Sequence, residues 1–359
     1  MSKQVLLMKE PPMHFSHLGL VMPRGEVGSY DSSVTGDPCI VWDQVNGSYR
    51  MFYFAQRHEN GMEINCCAHA ISDSPSSLAT GIWKKKGPLK YINEEQLEKG
   101  SSKPWILCDP YRPGIPVKIN GMYLLFFVVH SHANKIIRCA KAEKLTGPWH
   151  IQAQPVLETG FPNCFDGYHV DTVSAYWFES KQKILLFYKG YPMMPQRDQP
   201  YSPYGSSTAV AILEPHAQTA QKIGRIIAPS PSRLHWLFGW TSGIQLFPAQ
   251  RGGWYGLMTG SPTPPIPVTE EPNMREPSPS LGGWAYTPQL FPINGWRAFE
   301  KPITTLEDIP KKAQENGEVV NLWRHHLLVD QQGDMYLYYN AGSYGQEQMF
   351  CRKACVEKI

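Results

Sequence analysis

Apolar positions along this chain come in pairs of short runs. A run of strand length meets a tight turn, a second and more aromatic run follows, and a third ends among Ser, Pro, Gly and Trp. Residues 36–55 read GDPCIVWDQVNGSYRMFYFA, and 63–85 read EINCCAHAISDSPSSLATGIWKK. The pattern returns as GIPVKINGMYLLFFVV at 114–129 with KIIRCAKAEKLTGPWHI at 135–151. It returns again as DTVSAYWFESKQKILLFYKG at 171–190 with SSTAVAILEPH at 206–216. Later echoes are SGIQLFPAQRGGWYGLMTG at 242–260, then HHLLVDQQGDMYLYYNAG at 325–342 with QEQMFCRKA at 346–354. Asn46-Gly47 ahead of the alternating run 49–55 is a hairpin signature. Asn120-Gly121 and Gln332-Gly333 take the same place in their copies, and Ser180 to Gln182 does so in the third.

A unit of short strands cannot bury both of its faces alone, so five copies imply stacking of like on like. The predicted fold class is all-β: one five-bladed β-propeller over residues 1–359, with a central axial pocket where the first strands of the blades meet. Residues 1–30 precede the first copy as an N-terminal extension, which either crosses the propeller or closes the ring by pairing with the last blade. Residues 261–300, rich in Pro, Ser and Gly, read as an insertion between blades four and five. So long a segment in a regular repeat is usually functional or mobile. Its Trp284, Tyr286 and Trp296 make it the expected wall or lid of the pocket. The one helix candidate is 304–317, with a Thr cap, early acids, later lysines and Gly317, and it is placed on the rim.

Composition narrows the picture. The 42% of hydrophobic and 12% of aromatic residues supply an ample core, and 30 glycines with 32 prolines favour a loop-rich β protein over a helical one. A net charge of +3 without a basic block argues against nucleic acid or an anionic membrane as partner. The N-terminus has no apolar core of signal length, and no apolar run is long enough to span a bilayer, so a cytoplasmic protein is expected. Cys66 and Cys67 are adjacent and point to opposite strand faces, and Cys351 and Cys355 are too far apart to bridge. The 8 cysteines therefore read as small buried residues, and without a C-x2-C pair no metal site is assigned to them. Nothing in the sequence sets an oligomeric state.

Acids at the starts of innermost strands are the candidate chemistry. Asp37 opens the first copy, Asp171 the third, and Asp109 stands before the second, with Arg112 close behind. Aligning Phe52-Tyr53 on Phe187-Tyr188 puts Asp37 opposite Thr172, one residue from Asp171. Asp31 and Asp166 are further acids near strand starts, and His169 lies beside Asp171. In the fifth copy the region is Trp323-Arg324-His325-His326, where one histidine faces the axis and the other a neighbouring blade. Two carboxylates facing one pocket suit glycosidic cleavage, because burial and mutual repulsion let one stay ionised while the other stays protonated. Trp42, Trp105, Tyr168 and Trp240 are candidates to stack on sugar rings. The plainer reading remains open: Asp-Pro at a strand start is also ordinary turn chemistry, and a buried histidine is often structural.

The chain resembles the five-bladed β-propeller glycoside hydrolases, the superfamily of families forty-three, thirty-two, sixty-eight and one hundred and thirty. The resemblance rests on Asp37-Pro38 with the strand pair after it, and on the strand ends ISDSPSSLATGIWKK and AEKLTGPWHI. It spans about residues 31–359. It implies Asp37 as general base or nucleophile, Asp109 as the orienting acid, and a blade-three acid as proton donor. It also implies His325 or His326 near a central water or calcium ion, and no other cofactor. Two departures stand out: the blade-three acid of the family is usually Glu, where this chain offers Asp171 or Asp166, and Asp109 comes about four residues early. The expected function is a glycosidase-like enzyme acting on a small sugar or glycoside. The alternatives are a non-hydrolytic propeller, either a carbohydrate-binding protein or an enzyme with other pocket chemistry, and a glycoside phosphorylase using Arg112, Arg324 and His326 to hold phosphate.

Overall fold

The computed structural model describes residues 5–72, 83–131, 134–192, 205–263, 280–291, 293–305, 321–343 and 345–355. Blade one is β2 (Val34–Asp43), β3 (Ser48–Glu59), β4 (Met62–Ser72) and β5 (Lys84–Pro88), paired in that order. Blade two has inner strand β7 (Ser101–Ile106), then β9 (Met122–His130), β10 (Lys135–Ala142) and β11 (Trp149–Ile151). The two-residue strands β6 (Tyr91–Ile92) and β8 (Lys118–Ile119) pair with β11 and β9. Blade three is β12 (His169–Phe178), β13 (Lys183–Tyr191), β14 (Ser207–Leu213) and β15 (Gln221–Ile227). Blade four is β16 (Trp240–Pro248), β17 (Trp254–Ser261), β18 (Leu281–Thr287) and β19 (Arg297–Pro302). Blade five is β20 (Asn321–Val329), β21 (Met335–Gly342), β22 (Gln348–Ala354) and, as outermost strand, β1 (Phe15–Met22) from the other end of the chain.

The N-terminal segment thus closes the ring, with Phe15 opposite Ala354 and Met22 opposite Met349. Two expectations change. Residues 261–300 are not an insertion between blades, because they contain β18 and the start of β19 of blade four. Within them 264–279 lie outside the described residues, as does 306–320, which takes in most of the helix candidate at 304–317. In blade two the inner strand is β7, not the run after Gly114. Asn120-Gly121 does turn a hairpin, but its first arm is only the stub β8.

Each middle strand is buried on both faces, which is why its sequence is a continuous apolar run. Along β9, Phe126 and Val128 pack toward blade three with Leu186 and Tyr188, whereas Leu125, Phe127 and Val129 join the larger cluster with Cys39, Phe52 and Trp149. The other interfaces repeat the scheme, with Met51, Tyr53 and Trp83 against Tyr338 and Cys351 between blades one and five. Among the described residues no helix is long and apolar enough to cross a membrane, which leaves β-barrel insertion unaddressed.

The innermost strands are tied into a ring by one side chain each. Cys39 Sγ accepts the Ile106 N–H at 3.3 Å, and Trp105 Nε1 donates to the Ala175 carbonyl at 3.2 Å. Ser174 Oγ donates to the Ile244 carbonyl. Gln245 takes the Leu327 N–H at 2.7 Å and returns a bond to its carbonyl at 2.9 Å. His326 Nε2 accepts the Ile40 N–H at 3.2 Å and closes the circuit. A buried backbone group left unpaired costs about 1–3 kcal/mol. Gln245→Ala orphans two of them, so its unfolding free energy should fall by at least that amount in calorimetry. A melting curve equal to wild type would mean that the ring adds nothing to blade cohesion.

Candidate active site

Just above this hydrogen-bonded ring every inner strand has the same irregularity. One residue per blade adopts a left-handed backbone and breaks the ladder: Asp37 (φ 51), Lys103 (φ 55), Thr172 (φ 41), Gly243 (φ 53) and Arg324 (φ 55). The register shifts fall at these points, between Gly36 and Cys39, Ser102 and Trp105, Asp171 and Ser174, Ser242 and Gln245, and Trp323 and His326. Such bulges re-aim a side chain. In blades one and two a proline follows, and its missing N–H could not have entered the ladder. Asp and Gly tolerate this backbone, whereas a β-branched Thr is strained there by about 1–3 kcal/mol. Asp171 Oδ1 accepts the Thr172 N–H at 2.6 Å and helps to hold it.

All five residues line one axial pocket of about 490 Å³, a volume that includes its mouth. Trp105 forms part of the lining and reaches across the axis, edge-on to Tyr176 and His326 at centroid distances of 5.9 and 5.6 Å. The sequence alignment that set Asp37 opposite Thr172 is correct, so Asp171 is not the partner of Asp37 by position. It sits one residue earlier and is fully buried. Lys103 Nζ lies 2.6 Å from both Asp171 oxygens, Lys135 Nζ lies 3.3 Å from Oδ2, and Arg324 Nη2 lies 3.5 Å from Oδ1. Burial alone would raise this carboxyl, but Lys103, Lys135 and Arg324 outweigh it and hold it well below the usual range. A carboxylate held so firmly ionised cannot serve as the proton donor expected of blade three. Arg324 also bridges to the other acid, with Nε 2.9 Å from Asp37 Oδ1.

Several other expectations shift. Asp109 and Arg112 pair with each other at 2.7 Å, and Tyr111 N–H caps Asp109. Their loop follows β7 instead of preceding an inner strand, and Trp42 N–H donates to Gly114 there at 2.8 Å. All three therefore lie at the end of the inner strands away from the pocket. Asp31 and Asp166 are structural. Each is buried in a strand-entry loop, held by a tyrosine of the second strand and a lysine of the outermost one: Tyr53 and Lys85, Tyr188 and Lys222. Trp240 is buried under Lys189, whose Nζ stands 4.0 Å from the ring centroid, so it offers no face to a ligand.

Of the two histidines, His325 lines the pocket, its ring nitrogens facing the Thr259 and Thr304 hydroxyls at 3.1 and 3.3 Å. His326 belongs to the inter-blade ring, and burial lowers it to about 3. Calcium takes several oxygen ligands. Here the pocket wall carries Lys103 and Arg324 and both histidines are engaged, so these residues do not fit the central calcium that the resemblance implied. Tyr168 stacks on His169 at 3.7 Å, and His169 Nδ1 accepts the Lys135 N–H at 3.1 Å. Burial, with Lys135 beside it, brings His169 down to about 3.

Three residues of this region carried no weight in the sequence reading. Lys103-Pro104 repeats Asp37-Pro38 in the next blade, and that dipeptide was the available signal. Lys135 opens β10 and has no such marker. Glu347 is buried in the turn before β22, where its carbonyl accepts the Thr35 N–H at 3.0 Å. Burial pushes its carboxyl up to about 8, and the Asp37 charge adds to the rise. Near neutrality it therefore places little second negative charge beside Asp37.

No family model matches the chain, and no curated protein matches it. Solved structures do. A structure titled "Glycoside hydrolase" superposes with a TM-score of 0.68 at 14% identity, over 95% of this chain and 92% of the other. A second, described as belonging to a family of mannoside phosphorylases that contains hydrolases targeting β-1,2 mannosidic linkages in Candida mannan, gives 0.67 at 12% identity over 98% and 96%. An endo-arabinase from Bacteroides thetaiotaomicron gives 0.55 at 12% identity over 93% and 99%. Over nearly its whole length, then, the chain has the five-bladed propeller fold of these glycoside-active proteins.

Proposed function

We propose that the chain is a glycoside-active enzyme whose axial pocket binds a small sugar or glycoside, with Asp37 as the carboxylate that acts on it. The observation that carries this reading is the convergence of five left-handed inner-strand residues on one pocket, with Asp37 brought to its wall. Asp37 serves as base or nucleophile, and Arg324 fixes its carboxylate. Asp171 orients the cations around it instead of donating a proton. Among the described residues that line the pocket Asp37 is the one carboxylate, and on this reading substrates with good leaving groups are the most favourable ones.

A specific observation supports phosphorolysis as a second reading. Lys103 and Arg324 both reach the pocket, and paired cations suit a phosphate nucleophile. Arg112 and His326 play no part in it, since they lie elsewhere. The test is a panel of aryl glycosides assayed with and without inorganic phosphate. Release of the aryl group in plain buffer supports hydrolysis, and release only with phosphate supports phosphorolysis. No turnover of any member, with sugars still bound, would replace the enzyme by a carbohydrate-binding protein.

A further inference from the structure

Cleavage of a glycosidic bond leaves negative charge on the departing oxygen unless an acid supplies a proton there. Among the described residues, the titratable side chains lining the pocket are Asp37, Lys103, Arg324 and His325. Asp37 acts as base or nucleophile and must be ionised to do so. Arg324 holds Asp37 and Asp171, and a guanidinium does not give up its proton in proteins. Both ring nitrogens of His325 face threonine hydroxyls, those of Thr259 and Thr304. Lys103 differs from all three. Its left-handed bulge brings it to the pocket wall, and 16% of its side chain remains open. Asp171 accepts from its Nζ through both oxygens at 2.6 Å. An ammonium has three N–H donors, so at least one is left to face a ligand.

We propose that Lys103 is the catalytic acid of this pocket, its ammonium giving a proton to the leaving oxygen of the glycoside, with Asp171 as the positioning residue that orients it. The proposal rests on the glycoside-active reading of the pocket and deepens it. With Asp37 as base, the C–O bond breaks with both electrons going to the oxygen, and that oxygen takes the proton from Nζ. The oxygen of a water bonds to the anomeric carbon, and the water's proton goes to Asp37. Lys103, now a neutral amine, then regains a proton from solvent and Asp37 loses one to it, so one water is consumed. With Asp37 as nucleophile, the neutral amine takes the proton of the water that splits the glycosyl ester.

The surroundings of Lys103 suit it to proton transfer. Burial draws it down to about 7, Lys135 and Arg324 add to the fall, and Asp171 and Asp37 oppose it. The other groups facing it are Lys189 on β13, which burial lowers well below its ordinary value, and His130 on β9 and His169 on β12, which burial keeps neutral. An acid acts in its protonated form and transfers best when it titrates near the working pH. Activity that needs Lys103 should therefore fall as pH rises through about 7. Glu347, pushed up to about 8 by burial, titrates nearby, but its charge would act on every substrate alike. Loss of a proton donor instead spares substrates whose leaving group needs no proton.

The test is kcat/KM of the full chain against pH on the dinitrophenyl, nitrophenyl and phenyl glycosides of the sugar that the aryl panel selects, in the buffer, with or without phosphate, that supports its turnover. Wild type should lose activity on the phenyl glycoside above about pH 7 and keep it on the dinitrophenyl one. Lys103→Met should cost about 10²–10⁴ on the phenyl glycoside and less than about tenfold on the dinitrophenyl one. Lys103→Arg keeps a cation on Asp171 but cannot release its proton, so it should show the same split even where the methionine variant fails to fold. The wild-type comparison of leaving groups needs no variant at all. Equal losses on all three leaving groups, or full activity in Lys103→Arg, would overturn the proposal and leave the glycoside-active reading standing. Turnover of no glycoside by wild type would remove that reading and the proposal with it.

Discussion

Asp37→Asn should cost about 10²–10⁴ in turnover, the usual range for losing a positioned acid or base, while the protein still folds. The physical argument has two parts. Asn is nearly isosteric with Asp and tolerates the left-handed backbone at φ 51 as well as Asp does. Arg324 keeps a second partner in Asp171 at 3.5 Å, so the guanidinium is not stranded. The amide, however, can neither take a proton nor attack a carbon. The measurement is kcat on an activated aryl glycoside beside a melting curve. Undiminished turnover would move the chemistry away from Asp37 altogether.

Asp171→Asn should act mainly on stability. Removing one partner of a buried ion cluster costs about 3–5 kcal/mol, because the other charges remain buried without compensation. Here three cations lose their shared carboxylate. The pH dependence has a definite sign. The folded-state value of Asp171 is depressed, so its contribution is present above the carboxylate's unfolded value of about 3.9 and is lost as pH falls toward the lower folded value. The gap between wild type and variant in chemical denaturation should thus be full at neutral pH and shrink in acid. Equal stability at neutral pH would show that the cluster holds itself together without the carboxylate. The resemblance implied a blade-three acid as proton donor, and the burial of Asp171 among three cations is why stability is the expected readout instead.

Much of the fold was legible because its determinants are local. Aromatic runs behind Asn-Gly or Gln-Gly turns announce hairpins in any context, and strands buried on both faces must be continuously apolar. The site was legible only where the repeat was regular. Asp37 and its match with Thr172 followed from aligning two second strands. Blade two misled because SSKPWI, its true inner strand, is short and polar, whereas the hairpin at Asn120-Gly121 imitates an inner turn. From that one slip came both the misplacement of Asp109 and the omission of Lys103. Asp31 and Asp166 looked catalytic because no sequence shows that a tyrosine and a lysine from two other strands will close over them. The depth of Asp171 was equally hidden, since Lys103, Lys135 and Arg324 come from three other blade strands.

The five left-handed positions also make the pocket two-sided. Blades one, two and five contribute Asp37, Lys103 and Arg324, whereas blades three and four contribute Thr172 and Gly243 with Val173 and Ile244 beside them. Gly243 leaves blade four without a side chain here, and a Cβ in its place would meet Thr172 Cγ2 at 3.2 Å. The free space on that side thus depends on one missing methyl group. Gly243→Ala would narrow the pocket from blade four and press on Thr172, while the charged side chains of blades one, two and five stay where they are.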